Sequence, residues 1–292
     1  MRHPASLLAI FCAYICALAL AAQAFAGPPK RVVVAGGDLT EIVFALGEGA
    51  HVVGVDSTSS HPARTKDLGQ IGYVRRLSAE GILSLSPDLV IAAHDAGPAT
   101  ALSQIEAAGV QVAQAPQAAA LPDIVDKIRF VGDILDQEER AEALAEQFMD
   151  DLTDVADKVG KLVGTPRVLF IISLERGAPL VAGSGTQAET MITGAGGKNA
   201  ATGFTGFKPM SQEAIIQAAP DAIVMMAQHA ERFGGVEAIL KRPDIALTPA
   251  GRNGRAFVMD GMLLLGFGPR TPEAIAGLAR FFHPDDAERV GF

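Results

Sequence analysis

Cysteine, tryptophan and tyrosine are almost missing from this 292-residue sequence, and each scarcity closes off some chemistry. The two cysteines, Cys12 and Cys16, both fall within residues 1–26. That stretch reads as a cleavable export leader. Arg2 and His3 open it, Leu7 to Ala22 is almost wholly apolar, and Ala24-Phe25-Ala26 gives a small-x-small cleavage pattern before Gly27-Pro28-Pro29. Neither cysteine stands in a lipobox. The exported chain is therefore expected to carry no disulfide, no thiolate metal site and no cysteine nucleophile. Tryptophan is absent altogether, and beyond Tyr14 of the leader the sole tyrosine is Tyr73.

Basic charge is also short. Lys and Arg number 24 against 33 Asp and Glu, a net charge of −9, and no basic run occurs. Such a chain is a poor nucleic-acid binder. Gly36-Gly37 follows an apolar run, but G-x-G-x-x-G spacing and a G-K-[ST] loop are both missing, which points to a tight turn. Neither G-x-S-x-G nor H-E-x-x-H appears. His51, His61, His94, His229 and His283 are scattered, with no i, i+4 pair to hold zinc, and His61 reads as a loop surface residue. The acidic pairs Asp150-Asp151 and Asp285-Asp286 read as solvated faces. Nothing assembles a nucleophile, a base and an orienting group, so the chain is not expected to be an enzyme.

What is present is an α/β rhythm. Residues 31–35, 52–55, 89–92 and 110–113 read as buried strands, with helices over about 38–46, 78–85 and 100–108. From Leu121 to Leu162 strand signals stop. Asp136 reads as an N-cap, with Glu138 and Glu139 in the first turn. Phe148, Leu152, Val155 and Val159 then form one apolar stripe. A helix from Gln137 to about Leu162 would run roughly 40 Å, ended by Gly164-Thr165-Pro166. The α/β rhythm resumes at Arg167.

An internal repeat orders these pieces. Ser78-Ala79-Glu80-Gly81-Ile82 leads to Pro87-Asp88-Leu89-Val90-Ile91, and Ser211-Gln212-Glu213-Ala214-Ile215 leads to Pro220-Asp221-Ala222-Ile223-Val224 at identical spacing. Upstream, Val34-Ala35-Gly36-Gly37 with Glu41 is echoed by Val181-Ala182-Gly183-Ser184 with Glu189. The expected fold is two similar α/β lobes with parallel sheets, joined by a long backbone helix, with a ligand cleft between them. The expected divisions are 27–120 for the first lobe, 121–163 for the helical connector and 164–292 for the second lobe.

Tyr73 lies in the loop Gln70-Ile71-Gly72-Tyr73-Val74-Arg75-Arg76-Leu77, just before the repeated helix. A phenol gives up its proton only near pH 10 in water. Ferric iron stabilises a phenolate directly, and a neighbouring guanidinium helps. Arg75, two residues on, can fold back to that oxygen. An anionic oxygen suits ferric haem, for which tyrosine is one axial ligand type. An ordinary packed tyrosine followed by two solvated arginines is the competing reading of the same loop.

Residues 72–83, Gly72-Tyr73-Val74-Arg75-Arg76-Leu77-Ser78-Ala79-Glu80-Gly81-Ile82-Leu83, closely resemble the signature of periplasmic haem-binding proteins of bacterial haem ABC importers. So do Val181-Ala182-Gly183 with Thr186, Gly196-Gly197-Lys198-Asn199-Ala200, Phe207-Lys208-Pro209-Met210-Ser211 and the run from Leu263 to Pro272. The resemblance covers nearly the whole exported chain and extends to vitamin B12 and siderophore binders. It implies a monomeric periplasmic carrier that binds haem b as its cargo and hands it to a membrane permease dimer with its ATPase, downstream of an outer-membrane haem receptor. It further implies that Tyr73 is the axial ligand and Arg75 its hydrogen-bonding partner, with Arg76 beside them. Arg232, or in its place Arg176, would cover the distal face or the propionates. Some relatives add a histidine ligand from the loop after the second lobe's first strand. Here that loop, Ser173 to Ala178, has none, which favours five-coordinate or water-bound iron. Glu80 and Glu213 would dock the two lobes onto two permease subunits. A ferric siderophore is the rival cargo, met by Arg75, Arg76 and Arg232. A corrinoid is disfavoured by the lack of aromatic walls. The long connecting helix implies small lobe movement.

Overall fold

In a computed structural model of the chain, residues 29–174 and 177–292 are described here. The expected leader and Arg176 lie outside the described residues. The first sheet is wholly parallel and contains β1 (Val32–Ala35), β2 (Val52–Val55), β3 (Gly69–Gln70), β4 (Leu89–Ala92) and β5 (Gln111–Gln114), in the order β3-β2-β1-β4-β5. Helices α1 (Gly37–Ala45), α2 (Ala79–Leu83) and α3 (Ala99–Ala107) connect its strands. Every residue of β1 and β4 is buried, as a parallel sheet covered on both faces requires. Their apolar runs were readable for that reason.

Two helices follow, α4 (Ile124–Ile134) and α5 (Glu138–Val159). Asp136 does not cap α5. It takes a left-handed φ of 53°, and the Gln137 N–H reaches back to the Gly132 carbonyl at 2.8 Å. These are the marks of the end of α4, and Gln137 is the N-cap of α5. The two helices pack so closely that a Cβ on Gly132 would lie 2.3 Å from that of Ala141. With 22 residues, α5 is roughly 33 Å long, shorter than its sequence pattern implied. Its apolar stripe is inward, with Phe148 and Val155 buried. It touches both lobes. Arg140 Nη1 donates to the Leu46 carbonyl at 3.0 Å near one end, and Val159 packs beside Gly196 at the other. No helix among the described residues is long and apolar enough to cross a membrane.

The second sheet is built on β6 (Arg167–Ser173), β10 (Ala222–Met226) and β11 (Ala256–Met259), which are parallel. Short β8 (Lys198–Asn199) also runs parallel to β6. On the other side β6 pairs antiparallel with β7 (Leu180–Ala182), and β7 pairs antiparallel with β9 (Phe207–Pro209). This sheet is therefore mixed, and the echo between Val34-Ala35 and Val181-Ala182 joins strands of opposite sense. Helices α6 (Gln187–Gly194), α7 (Gln212–Ala218), α8 (Ala227–Arg232), α9 (Gly235–Leu240), α10 (Pro243–Ala246), α11 (Pro249–Arg252), α12 (Gly261–Leu265), α13 (Thr271–Phe282) and α14 (Pro284–Ala287) complete the chain.

The other half of the repeat is a repeat of contacts. Ser78 and Ser211 cap α2 and α7, each accepting from the backbone N–H three residues on at 3.3 Å. Asp88 accepts from the Arg31 N–H at 3.0 Å and Asp221 from the Arg167 N–H at 2.8 Å, pinning the start of β1 and β6. Arg31 and Arg167 return the favour through Nε, to Ser86 O at 2.9 Å and Ala218 O at 2.7 Å. Ser-x-Glu and Pro-Asp thus recur together because one locks the helix start and the other ties its end to the neighbouring strand.

One ion pair joins the lobes at α1, and a second ties the connector to the same helix. Arg270 grips Glu41 through Nε at 3.0 Å and Nη2 at 2.5 Å. Lys127 of α4 meets Asp38 at 2.5 Å and leans on the Gly266 carbonyl at 3.5 Å. Met262 of the second lobe covers Gly37 of the first, where a Cβ would lie 2.8 Å from Met262 Cε.

Candidate binding site

In an open parallel sheet, loops leaving the carboxyl ends of the strands gather on one edge, where ligands bind. The loop after β3 carries Tyr73. The Ile71 N–H bonds the Val55 carbonyl at 3.1 Å, and Gly72 then turns with φ +87°, its carbonyl accepting from Ser57 at 2.7 Å. A side chain at position 72 would be strained in that left-handed turn. Ile71, Val74 and Leu77 are buried, so the loop is anchored at every third residue while Tyr73 stays half-buried against the same cluster. A tight turn, Arg76 N–H to Tyr73 carbonyl at 2.7 Å, brings the next residues back over the ring.

Arg75 Nη1 donates to the Tyr73 phenol oxygen at 2.5 Å. Its Nε donates to Asp95 Oδ2 at 2.7 Å, and Nη2 contacts the same oxygen. Burial pulls the Arg75 pKa down, but the hydrogen bond and charge of Asp95, helped by Tyr73, outweigh it and raise the guanidinium above the ordinary arginine value. Arg76 is exposed, with Cζ 5.9 Å from the Tyr73 ring centroid. The second loop of the site leaves β4. Gly97 N–H bonds the Val74 carbonyl at 2.9 Å and Leu77 N–H bonds the Gly97 carbonyl at 2.8 Å, stitching the Asp95 loop to the Tyr73 loop. Asp95 was not anticipated from sequence. Its signal was its position, three residues past the end of a buried strand, where parallel sheets place ligand-binding groups.

In the second lobe, α8 begins directly at the carboxyl end of β10 and ends at Arg232, which is exposed. His229 is half-buried and uses Nδ1 to hold the Ile172 carbonyl near the end of β6. Gln228 accepts from the Gly261 N–H at 3.2 Å, next to the Met262 contact with the first lobe. Among the described residues no cluster of three His, Cys, Asp or Glu stands ready to hold a bare metal ion. Glu80 and Glu213 are exposed in the first turns of α2 and α7. Because each helix precedes a parallel strand, both turns sit at the carboxyl edge of their sheets. The backbone N–H of Glu213 itself, with the Ser211 hydroxyl, holds the Glu213 carboxyl below its ordinary value. His61 is exposed on a groove of about 300 Å³ lined also by Glu41, Phe44, Pro269 and Arg270, a lining that does not include Tyr73.

Two lobes tied by one long helix and an inter-lobe ion pair, with a polar cluster at a sheet's carboxyl edge, define a solute-binding protein. Residues 32–263 match the family described as periplasmic binding protein, and the chain belongs to it. It is similar to the periplasmic heme-binding protein RhuT from Roseiflexus sp. RS-1, solved in apo form. That likeness has 45% identity and a TM-score of 0.84, and covers 88% of this chain and 98% of the other. An uncharacterized ABC transporter substrate-binding lipoprotein of Bacillus subtilis, YvrC, is 30% identical, over 88% of this chain and 81% of the relative. A vitamin B12-binding protein of Vibrio parahaemolyticus is 26% identical over 87% and 90% of the two chains. These relatives are transport proteins that bind a substrate, and their kind implies an extracytoplasmic location.

Proposed function

We propose that the chain carries haem b across the periplasm, binding it between the lobes with Tyr73 as ligand to the ferric iron. The observation that carries the reading is the 2.5 Å hydrogen bond from Arg75 to the only tyrosine beyond residue 26, a half-buried ring in the loop leaving β3. The guanidinium fixes the phenol oxygen by a directed hydrogen bond, and tyrosine oxygen is one axial ligand type for ferric haem. The 45% identity to a heme-binding protein over nearly the whole of both chains supports the same cargo. Arg76 is assigned to the haem pocket beside Arg75, and Arg232, or in its place Arg176, to the distal face or the propionates. Glu80 and Glu213 are assigned to docking on the two subunits of an ABC permease, where matched charges on repeated helices meet a symmetric partner.

Cobalamin is the second reading, favoured by the vitamin B12-binding relative. A single tyrosine beyond residue 26 and no tryptophan give it little aromatic wall. Equilibrium competition among hemin, cobalamin and a ferric siderophore tests the cargo. Hemin should displace both, and the bound haem should be recovered chemically unchanged. Displacement of hemin by either rival, or recovery of cleaved haem, would overturn the reading. Charge reversal at both Glu80 and Glu213 should abolish transport by the reconstituted importer while leaving hemin binding intact.

A further inference from the structure

We infer that Asp95 is a positioning residue for Tyr73: it holds Arg75 in the orientation that keeps a guanidinium N–H on the phenol oxygen. This rests on the assignment of Tyr73 as the iron ligand. Arg75 is a long side chain on a loop, with 59% of its side-chain surface exposed, and left alone it would sample many rotamers. Asp95 removes that freedom. It occupies the edge formed by Nε and Nη2 with a single carboxylate oxygen, and the remaining terminal nitrogen, Nη1, then points at Tyr73. An arginine fork held on one edge has its other edge fixed too, because the guanidinium is planar and rigid.

The backbone on both sides of Asp95 is held in place. Ala96 N–H closes a turn onto Ala93 O at 2.9 Å, and Gly97 is bonded into the Tyr73 loop on both sides. Gln114, at the end of β5, reaches across with Nε2 to the His94 carbonyl at 2.9 Å. Tyr73 is seated on the buried cluster beneath its loop. The arrangement is thus two fixed ends with one adaptable cation between them, and Asp95 acts on Tyr73 only through Arg75. It also offsets part of the cation's charge, so the phenol oxygen receives a directed hydrogen bond rather than a loosely placed full charge.

The test is a double-mutant cycle read at Tyr73 itself. Asp95→Asn, Asp95→Ala, Arg75→Ala and the Asp95→Asn/Arg75→Ala pair are labelled with tyrosine enriched in carbon-13 at Cζ, and the Tyr73 resonance is assigned by its loss in Tyr73→Phe. In the protein without cargo, either Asp95 variant should move this resonance in the same direction as Arg75→Ala, and the pair should move it no further than Arg75→Ala alone. Loaded with hemin, Asp95→Asn should shift the phenolate-to-iron charge-transfer band to longer wavelength, because a phenolate without a fixed donor gives electron density more freely. Its hemin dissociation rate should rise no more than that of Arg75→Ala. A resonance unmoved in both Asp95 variants while Arg75→Ala moves it, or shifts that add in the pair, would overturn the inference. Absence of hemin binding in the unmodified protein would instead defeat the haem reading, and the cargo-free arm would still decide the role of Asp95.

Discussion

Replacing Arg270 by alanine removes half of an ion pair that ties the second lobe to the first. The Glu41 side chain is only 6% exposed and takes two hydrogen bonds from Arg270, so it would be left buried with neither donor. Breaking a buried pair by deleting one partner costs ~3–5 kcal/mol, most of it the uncompensated charge. For a chain of this size each kcal/mol moves the midpoint by ~2–4 °C, so the melting temperature should fall by roughly 10 °C. The companion variant, Arg270→Met with Glu41→Leu, removes both charges and keeps the volume filled, and should recover most of that loss. Thermal melts followed by far-ultraviolet circular dichroism on the unmodified protein and both variants give the comparison. A fall of less than ~2 °C in the single variant, or a double variant as unstable as the single, would refute the claim that this pair fastens the lobes.

Two further outcomes follow from local geometry. Gly132→Ala should destabilise the chain although alanine is the better helix former by ~1 kcal/mol, because the new Cβ would lie 2.3 Å from that of Ala141. Denaturant unfolding measures it, and a stabilised variant would contradict the packing. Asp286 accepts from Arg289 at 2.6 Å and from Val163 N–H at 3.4 Å, and Arg289 above all holds its carboxyl below the ordinary value. A depressed folded pKa stabilises above the unfolded pKa, ~3.9, and that contribution is lost as pH falls through the folded value. The stability gap between the unmodified protein and Asp286→Asn should therefore hold at neutral pH and close in acid. A gap that widened in acid would show the sign to be wrong.

The two-lobed α/β class was legible because its strands are uninterrupted apolar runs and because Ser-x-Glu and Pro-Asp recur at one spacing. The hairpin of β7 and β9 was not. Strands of three residues carry little pattern, and whether Val181 runs parallel or antiparallel to β6 is decided by its neighbours, not by its own side chains. Asp136 misled for a related reason. An aspartate suits both a helix start and a left-handed turn, and the tight link between α4 and α5 puts it in the turn. At the site, Arg75 was within reach of Tyr73 by chain geometry, whereas Asp95 is twenty residues further on than Arg75 and arrives only through the neighbouring β4 loop. The inter-lobe pair Arg270–Glu41 spans 229 residues, and nothing local announces it.

The most direct measurement is a visible absorption titration of the purified protein with hemin, run beside Tyr73→Ala. The account predicts a saturable ferric spectrum carrying a tyrosinate charge-transfer band, with the band gone and affinity greatly reduced in the variant. Saturable binding with an identical spectrum in Tyr73→Ala, or no saturable binding in the unmodified protein, would contradict it.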